Sequence, residues 1–152
     1  MVDVDAGCFT VGVFQDAAWA EKGLNALKQA GFSGESLTIL GKEGAVLAGL
    51  IERTFGSAGD RLDVAAVGTV LARGPLVGAL QGTGGGLSTL GLSGAMRRVG
   101  YLPHDARIFE ALTLRGGVMV AVRSEPRAAD ALAIFLSYGG GNAAIGAWGG
   151  RV

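Results

Sequence analysis

Residues Cys8–Phe14 read Cys-Phe-Thr-Val-Gly-Val-Phe, and this stretch decides how the fold is interpreted. It is rich in β-branched and aromatic residues and is apolar on both faces, which is typical of a central strand. Asp16 follows as a candidate N-cap, and apolar residues then recur at helical spacing. These apolar residues are Ala17, Ala20, Leu24, Leu27 and Ala30. We therefore expect a strand followed by a helix with one buried face.

The following residues and the end of the chain repeat this pattern. Gly31 is placed to end the helix in a left-handed turn, and Ser36–Gly41 predicts a second short strand. Farther along, Gly117–Arg123 predicts another apolar strand and Glu125-Pro126 predicts the start of a second helix. Asn142–Trp148 predicts a fourth strand. The chain thus contains two predicted βαβ units.

Two βαβ units side by side predict an α+β fold, a ferredoxin-like βαβ-βαβ sandwich in a single domain over residues 1–152. The first unit spans residues 8–41, the second spans residues 117–148, and a glycine-rich, mainly helical insertion occupies residues 42–116. Such a sandwich has two helices on one face of a four-stranded antiparallel sheet. Its first and third strands are central, and its second and fourth are edges. An exposed edge or open face invites pairing with another copy, so we expect a homo-oligomer.

The insertion contains Gly74, Gly78, Gly82 and Gly86, each four residues from the next. In a helix this spacing would line them along one stripe, and small residues let two backbones approach closely. Glycine inside an exposed helix costs about 0.5–1 kcal/mol relative to alanine, however, and Pro75 predicts a helix start or a turn. The stripe is therefore either an interaction surface or the sign of a segment that is not one continuous helix.

Composition excludes several classes of protein. Glycine supplies 28 of the 152 residues, but the chain has no Gly-X-Y period and is not collagen-like. At 49% hydrophobic it is too apolar for a disordered linker. The 13 basic and 13 acidic side chains leave no net charge and form no basic stripe, so we expect no nucleic-acid partner. The single cysteine, Cys8, and the single histidine predict neither a disulfide framework nor a tetrahedral zinc site.

Location is predicted from the amino-terminal sequence and from hydropathy. Met-Val-Asp-Val-Asp is acidic and lacks the positive start and apolar core of a secretory signal, which favours a cytoplasmic protein. A transmembrane helix needs about 20 consecutive apolar residues. Arg73 and Pro75 interrupt the apolar run Val64–Leu80, so we expect no transmembrane segment. Reversible contact of the insertion with a membrane surface stays open as an alternative.

Phosphate-binding glycine loops need a defined context that this chain lacks. Gly82–Gly86 contains a Gly-x-Gly pattern, but no apolar strand directly precedes it and no Gly-Lys-Ser/Thr ending follows. The carboxylates of the insertion are scattered, and nothing in their spacing fixes two of them on one face. We therefore predict no cofactor, no metal and no catalytic residue.

One polar cluster is predicted at the start of a helix that begins at Pro103-His104-Asp105. If Tyr101, His104, Arg107 and Glu110 converge, they are the clustered groups best able to transfer protons or bind anions. A surface helix on which Arg107 and Glu110 pair at i,i+3 spacing is the simpler interpretation. The sequence therefore predicts a protein that is not an enzyme.

Three parts of the chain carry a resemblance to a known family. They are Val11–Phe14 with Asp16, Ala20, Leu24, Leu27 and Gly31-Phe32; Val67–Leu76; and Gly100–Pro103 with Phe109-Glu110 and Gly116–Val122. Together they resemble bacterial general stress proteins of the heat-induced kind. The resemblance implies an α+β domain with a glycine-rich helical insertion, a link to stress responses and no established reaction.

Our leading hypothesis from the sequence is a non-enzymatic, stress-associated protein that self-associates and acts as a binding or scaffold module. Self-association would use the sheet edge or the glycine-rich insertion, and a protein partner would bind the assembly. The first alternative is a small-molecule sensor with a cleft between ferredoxin-like units. The second is the reversible membrane-surface association described above.

Overall fold

A computed structural model describes residues 9–82, 84–124 and 127–140 of the chain. The fold is of the α+β kind, with one five-stranded antiparallel sheet between two layers of helices. In chain order the elements are β1 (Phe9–Phe14), α1 (Ala17–Gln29), β2 (Leu37–Lys42), α2 (Ala45–Phe55), β3 (Asp60–Val64), β4 (Gly68–Arg73), α3 (Pro75–Gln81), α4 (Gly86–Arg98), α5 (Pro103–Leu114), β5 (Val118–Arg123) and α6 (Ala128–Tyr138).

The strands are ordered β1-β5-β2-β4-β3, so that β5 pairs with β1 on one side and with β2 on the other. The central position predicted for this strand is confirmed. The edge position predicted for β2 is wrong, because Leu40 of β2 is paired with Ala72 of β4. The insertion supplies a β3–β4 hairpin that extends the sheet beyond β2. The predicted fourth strand, residues 142–148, lies outside the described residues.

Strand β3 ends the described sheet on the side of the insertion, and its side chains are charged. Asp60, Arg61 and Asp63 are exposed, and the Arg61 guanidinium lies 2.8 Å from the carboxylate of Glu43. Charged side chains discourage an edge strand from pairing with another chain. The insertion therefore replaces the expected open edge at β2 with an edge that is poorly suited to self-association.

Helices α1, α2 and α6 form the first helical layer, on one face of the sheet. Asp16 caps α1 as predicted, since its carboxylate accepts a hydrogen bond of 2.9 Å from the Trp19 N–H. Gly31 ends this helix with a positive φ of 100°, also as predicted. In the core of the layer the rings of Phe14 and Phe135 meet edge to face, with centroids 5.6 Å apart. Both rings are fully buried.

Helices α3, α4 and α5 form the second helical layer, on the opposite face. Their apolar residues pack against the buried side chains that β1, β2, β4 and β5 carry on this face of the sheet. The buried members from these helices are Leu76, Val77, Leu80, Leu87, Leu92, Ala95, Met96, Ala106, Phe109 and Leu112. The expectation of an open sheet face is therefore wrong, because the insertion covers it.

Candidate functional site

The glycine stripe of the insertion does not lie on one helix. Helix α3 begins at Pro75, Gly74 precedes it with a φ of 127°, and Gly82 follows it with a φ of 59°. Gly86 is already the first residue of α4. The alternative that this segment is not one continuous helix is confirmed. The physical reason is that proline starts the helix and positive-φ glycine ends it.

Three of the four glycines are pressed against this chain's own atoms. A Cβ at Gly74 would overlap the carbonyl oxygen of Leu37 and the backbone of Thr38, and a Cβ at Gly86 would lie 2.5 Å from the carbonyl oxygen of Leu80. Gly82 lies against the guanidinium of Arg98. Because these glycines have no side chain, α3 can pack closely onto β2 and α4 can pack closely onto α3. Only Gly78 of the four is exposed with no heavy atom within 4 Å of its Cβ position.

Arg98 fills the space at the α3–α4 connection. Its guanidinium donates hydrogen bonds of 3.1 and 2.6 Å to the carbonyl oxygens of Ala79 and Leu80, which end α3. At the start of α4, the Gln81 side chain accepts a hydrogen bond of 3.0 Å from the Leu87 N–H. Side chains of the protein thus occupy the helix ends around this glycine-rich connection.

The structure does not bring the four predicted polar residues into one site. His104 and Arg107 are exposed on α5, whereas the ring of Tyr101 packs edge to face with Phe109, at a centroid distance of 6.1 Å. Glu110 accepts a hydrogen bond of 3.1 Å from the Ser93 N–H. Among the described residues no ion pair joins Arg107 to Glu110, so the pairing expected for a simple surface helix is wrong.

Glu110 has a structural role that the sequence analysis missed. Helix α4 is broken at Gly91, which has a φ of 75° and a ψ of 177°. The break leaves the N–H of Ser93 without an acceptor in the helix, and the Glu110 carboxylate of α5 supplies one. The only signal for this contact was Gly91 within the glycine-rich insertion, and it gave no indication of the partner.

The outer side of the first helical layer carries an apolar surface, which we call the α1–α6 face. It consists of Trp19 on α1 and of residues at i, i+3, i+4 and i+7 spacing on α6: Ala129, Leu132, Ala133 and Leu136. Trp19 is 42% exposed and Leu136 is 60% exposed, and both line a cavity of about 310 Å³. Lys22 lies over the Trp19 ring, 4.3 Å from its centroid. Ala131 and Phe135 are the buried residues of α6.

A second concave region, the Arg73 groove, lies where β2, β4, α2 and α3 meet. Its volume is about 460 Å³, and it is lined by Glu35, Leu37, Phe55, Asp60, Arg73, Gly74, Pro75, Val77 and Gly78. Arg73 is half-buried at the end of β4. Within the described part of the chain, its guanidinium makes no hydrogen bond and no ion pair.

The pKa of Arg53 is shifted, and the cause is its pairing with Glu21. The Arg53 guanidinium of α2 donates hydrogen bonds of 2.9 and 3.2 Å to the Glu21 carboxylate of α1. This hydrogen bonding, and the nearby negative charge, raise the pKa of Arg53 above its ordinary value. The pair is exposed and links two helices of the first layer, and neither residue lines either concave region.

Comparison with protein-family models, with curated proteins and with solved structures finds no match for this chain. Across residues 9–82, 84–124 and 127–140, no helix is long and apolar enough to cross a membrane. In the same ranges no group of three or more histidine, cysteine, aspartate or glutamate side chains is arranged to hold a metal ion. The function therefore has to be argued from the two surfaces described above.

Proposed function

We propose that this protein is a non-enzymatic binding module that self-associates through the α1–α6 face. The observation that carries the proposal is the exposure of Trp19 on α1 and of Leu136 on α6 beside one cavity, with Ala129 and Ala133 exposed on the same side of α6. Contiguous exposed apolar surface marks interaction sites on soluble proteins, and tryptophan is enriched at the centres of such sites.

A second copy of the chain is the occupant that fits this face. In a two-fold dimer the same patch meets itself, and the alternation of alanine and leucine on α6 provides small and large side chains that can interdigitate. The 13 basic and 13 acidic residues give no net charge that would hold copies apart. The Arg127–Asp130 ion pair, at 3.0 Å, lies at the amino-terminal end of α6 and offers both signs of charge to a partner.

The finer features of the sequence prediction belong to the same proposal. The adjacency of β1, β5 and β2, with α1 packed against α6 on one face, supports a ferredoxin-like core that the insertion has extended. The resemblance to bacterial general stress proteins supports a stress-associated role. In this proposal the assembled module acts by binding a protein partner.

Sedimentation equilibrium tests the self-association. We expect the wild-type chain to form dimers at micromolar concentrations, and Leu136→Glu to raise the dimer Kd at least about tenfold because it places a charge at the centre of the apolar face. The matched control is Leu102→Glu, since Leu102 is 66% exposed and precedes α5 in the second layer. Circular dichroism checks that both variants fold. A wild-type chain that stays monomeric at high micromolar concentration would overturn the proposal.

Small-molecule sensing is the second candidate function, and one observation favours it. The Arg73 groove combines apolar walls with a half-buried arginine that has no partner among the described residues. Ligand sites are usually concave and mostly apolar, with a few well-placed polar groups. The chemistry of this groove allows a more specific inference.

A further inference from the structure

Among the described arginines that make no hydrogen bond or ion pair, Arg73 is half-buried, whereas Arg97, Arg107 and Arg123 are exposed. Arg53, Arg61 and Arg127 each pair with a carboxylate, at 2.9, 2.8 and 3.0 Å respectively. Arg127 is half-buried like Arg73, and it also lies over the ring of Phe32 at 4.4 Å. A guanidinium presents five donors in a fixed plane that matches a carboxylate. The donors of Arg73 are therefore available to a ligand in the groove.

The backbone under Arg73 is held rigidly. Arg73 is paired with Ile39 in the β2–β4 ladder, and the next residue, Gly74, packs against Leu37 and Thr38 of β2. The Thr38 hydroxyl accepts a hydrogen bond of 3.0 Å from the Leu76 N–H, which fixes the start of α3 at the same place. Binding residues on rigid elements need little ordering when a ligand arrives.

Two carboxylates line the same groove, and they decide the charge of the ligand. Glu35, in the turn before β2, and Asp60, at the start of β3, make no ion pair with Arg73 within 4.0 Å. A simple anion would be attracted by Arg73 but repelled by both carboxylates. A molecule with a carboxylate and an ammonium group would satisfy both signs of charge at once.

Part of the groove wall is apolar. The half-buried Phe55 of α2 and Pro75 of α3 line it, and Val77, which is 9% exposed, lies beside them. The volume of about 460 Å³ falls within the range of small-molecule sites. An aliphatic or aromatic side chain would bury its apolar area here and displace water.

We infer that the Arg73 groove binds a free α-amino acid with an apolar side chain. Arg73 takes the carboxylate, Glu35 and Asp60 take the ammonium group, and Phe55, Pro75 and Val77 contact the side chain. This inference goes beyond the self-association proposed above and does not rest on it, because no residue of the groove belongs to the α1–α6 face.

Titration followed by NMR tests the inference on the wild-type chain. L-leucine, L-phenylalanine and L-methionine are the probes, and the readout is the Arg73 Nε–Hε resonance together with the backbone amides of β4. We expect saturable shifts with these amino acids. Leucinamide lacks the carboxylate and N-acetyl-leucine lacks the ammonium group, and each should bind at least about tenfold more weakly than leucine because one charge-assisted contact is lost.

Variants assign the charges to residues. We expect Arg73→Gln to weaken leucine binding at least about tenfold, and Glu35→Gln with Asp60→Asn to weaken leucine but not N-acetyl-leucine. Arg61→Gln is the matched control, because Arg61 is exposed on the neighbouring strand and pairs with Glu43. If Arg73→Gln does not fold, the two leucine analogues still decide the question on the wild-type chain.

Two results would overturn the inference. One is the absence of chemical-shift changes at Arg73 with all three amino acids up to about 10 mM, a concentration above the highest Kd expected of a sensor. The other is leucine binding that Arg73→Gln leaves unchanged. The titration reads Arg73 directly, so it gives the same answer whether or not the α1–α6 face associates.

Discussion

The two helical layers cover the same sheet by different means. In the first layer, α1, α2 and α6 have 13, 11 and 11 residues and pack with large side chains, as at the contact of Phe14 with Phe135. Its helix-ending glycines, Gly56 and Gly139, lie at C-caps with φ values of 74° and 80°. In the second layer α3 has seven residues, and α4 is broken at Gly91.

The second layer relies on side chains that satisfy helix ends from outside the helix. Short helices leave a large fraction of their backbone groups without intrahelical partners, and glycine lowers their intrinsic stability further. The acceptors supplied from outside are Thr38 for Leu76, Gln81 for Leu87 and Glu110 for Ser93, and Arg98 is the donor for the carbonyls of Ala79 and Leu80. Both layers bury apolar side chains against the sheet, and the second depends in addition on close backbone approach and on capping from other elements.

The largest effect is expected in the first layer, for Phe14→Ala. The ring is fully buried, and a Cβ at Gly23 would lie 2.7 Å from it, so removing the ring leaves a cavity between sheet and helix. The free energy of unfolding, measured with urea, should fall by about 3–5 kcal/mol. Val46→Ala is the control, because Val46 is 71% exposed in the same layer and its change should stay within about 0.5 kcal/mol. Similar losses for both variants would contradict burial as the main source of stability here.

The next largest effect is expected in the second layer, for Gly74→Ala. The φ of 127° and ψ of 171° belong almost only to glycine, and a Cβ would overlap the backbone of β2. Strain and overpacking together should lower the free energy of unfolding by at least about 2 kcal/mol.

Gly78→Ala is the matched variant for Gly74→Ala and should have the opposite sign. Gly78 lies inside α3 with nothing within 4 Å of its Cβ position, so alanine should stabilise the protein by about 0.5–1 kcal/mol. The same urea titrations measure both variants. If Gly78→Ala destabilises the chain as much as Gly74→Ala, the four glycines act as one surface after all.

The smallest loss of stability is expected at the cap between α4 and α5. Glu110→Ala removes the acceptor for the Ser93 N–H and should lower the unfolding free energy by about 1 kcal/mol, as for the loss of a helix cap. Arg107→Ala, on the exposed side of the same helix, should change it by less than about 0.5 kcal/mol. Equal losses at both positions would instead indicate that Arg107 and Glu110 form an ion pair. A double-mutant cycle would then measure the coupling energy between them.

Local signals explain the parts of the fold that the sequence predicted. The Asp16 cap, the glycine stop at Gly31 and the helix starts at Pro75 and Pro103 are each decided by a few neighbouring residues. Strands β1, β2 and β5 are apolar enough to be recognised without knowing their partners. Strand β3 was missed because Asp-Arg-Leu-Asp-Val has three charged, exposed residues and only two apolar ones, which is too short an alternation to indicate a strand.

Non-local features could not be predicted in the same way. The second sheet face is covered because the insertion turns at Gly74, Gly82 and Gly91, which all have positive φ. The sequence does not distinguish these three glycines from ordinary loop glycines. The Arg73 groove joins residues that lie far apart along the chain, so no motif or spacing indicated it. The polar cluster around His104 was suggested by sequence proximity alone, and the side chains face different neighbours.

The position of β5 has a consequence for the order in which the protein is made. Strands β1 and β2 are close in sequence but do not pair with each other, because β5 lies between them. During synthesis β1 and β2 leave the ribosome before β5, the strand that pairs with both of them. Until β5 is made, these two apolar strands lack their shared partner, and exposed strands of this kind are prone to aggregate. The native sheet can close only after Arg123 has emerged, so binding by a chaperone is most valuable in the interval before β5 arrives.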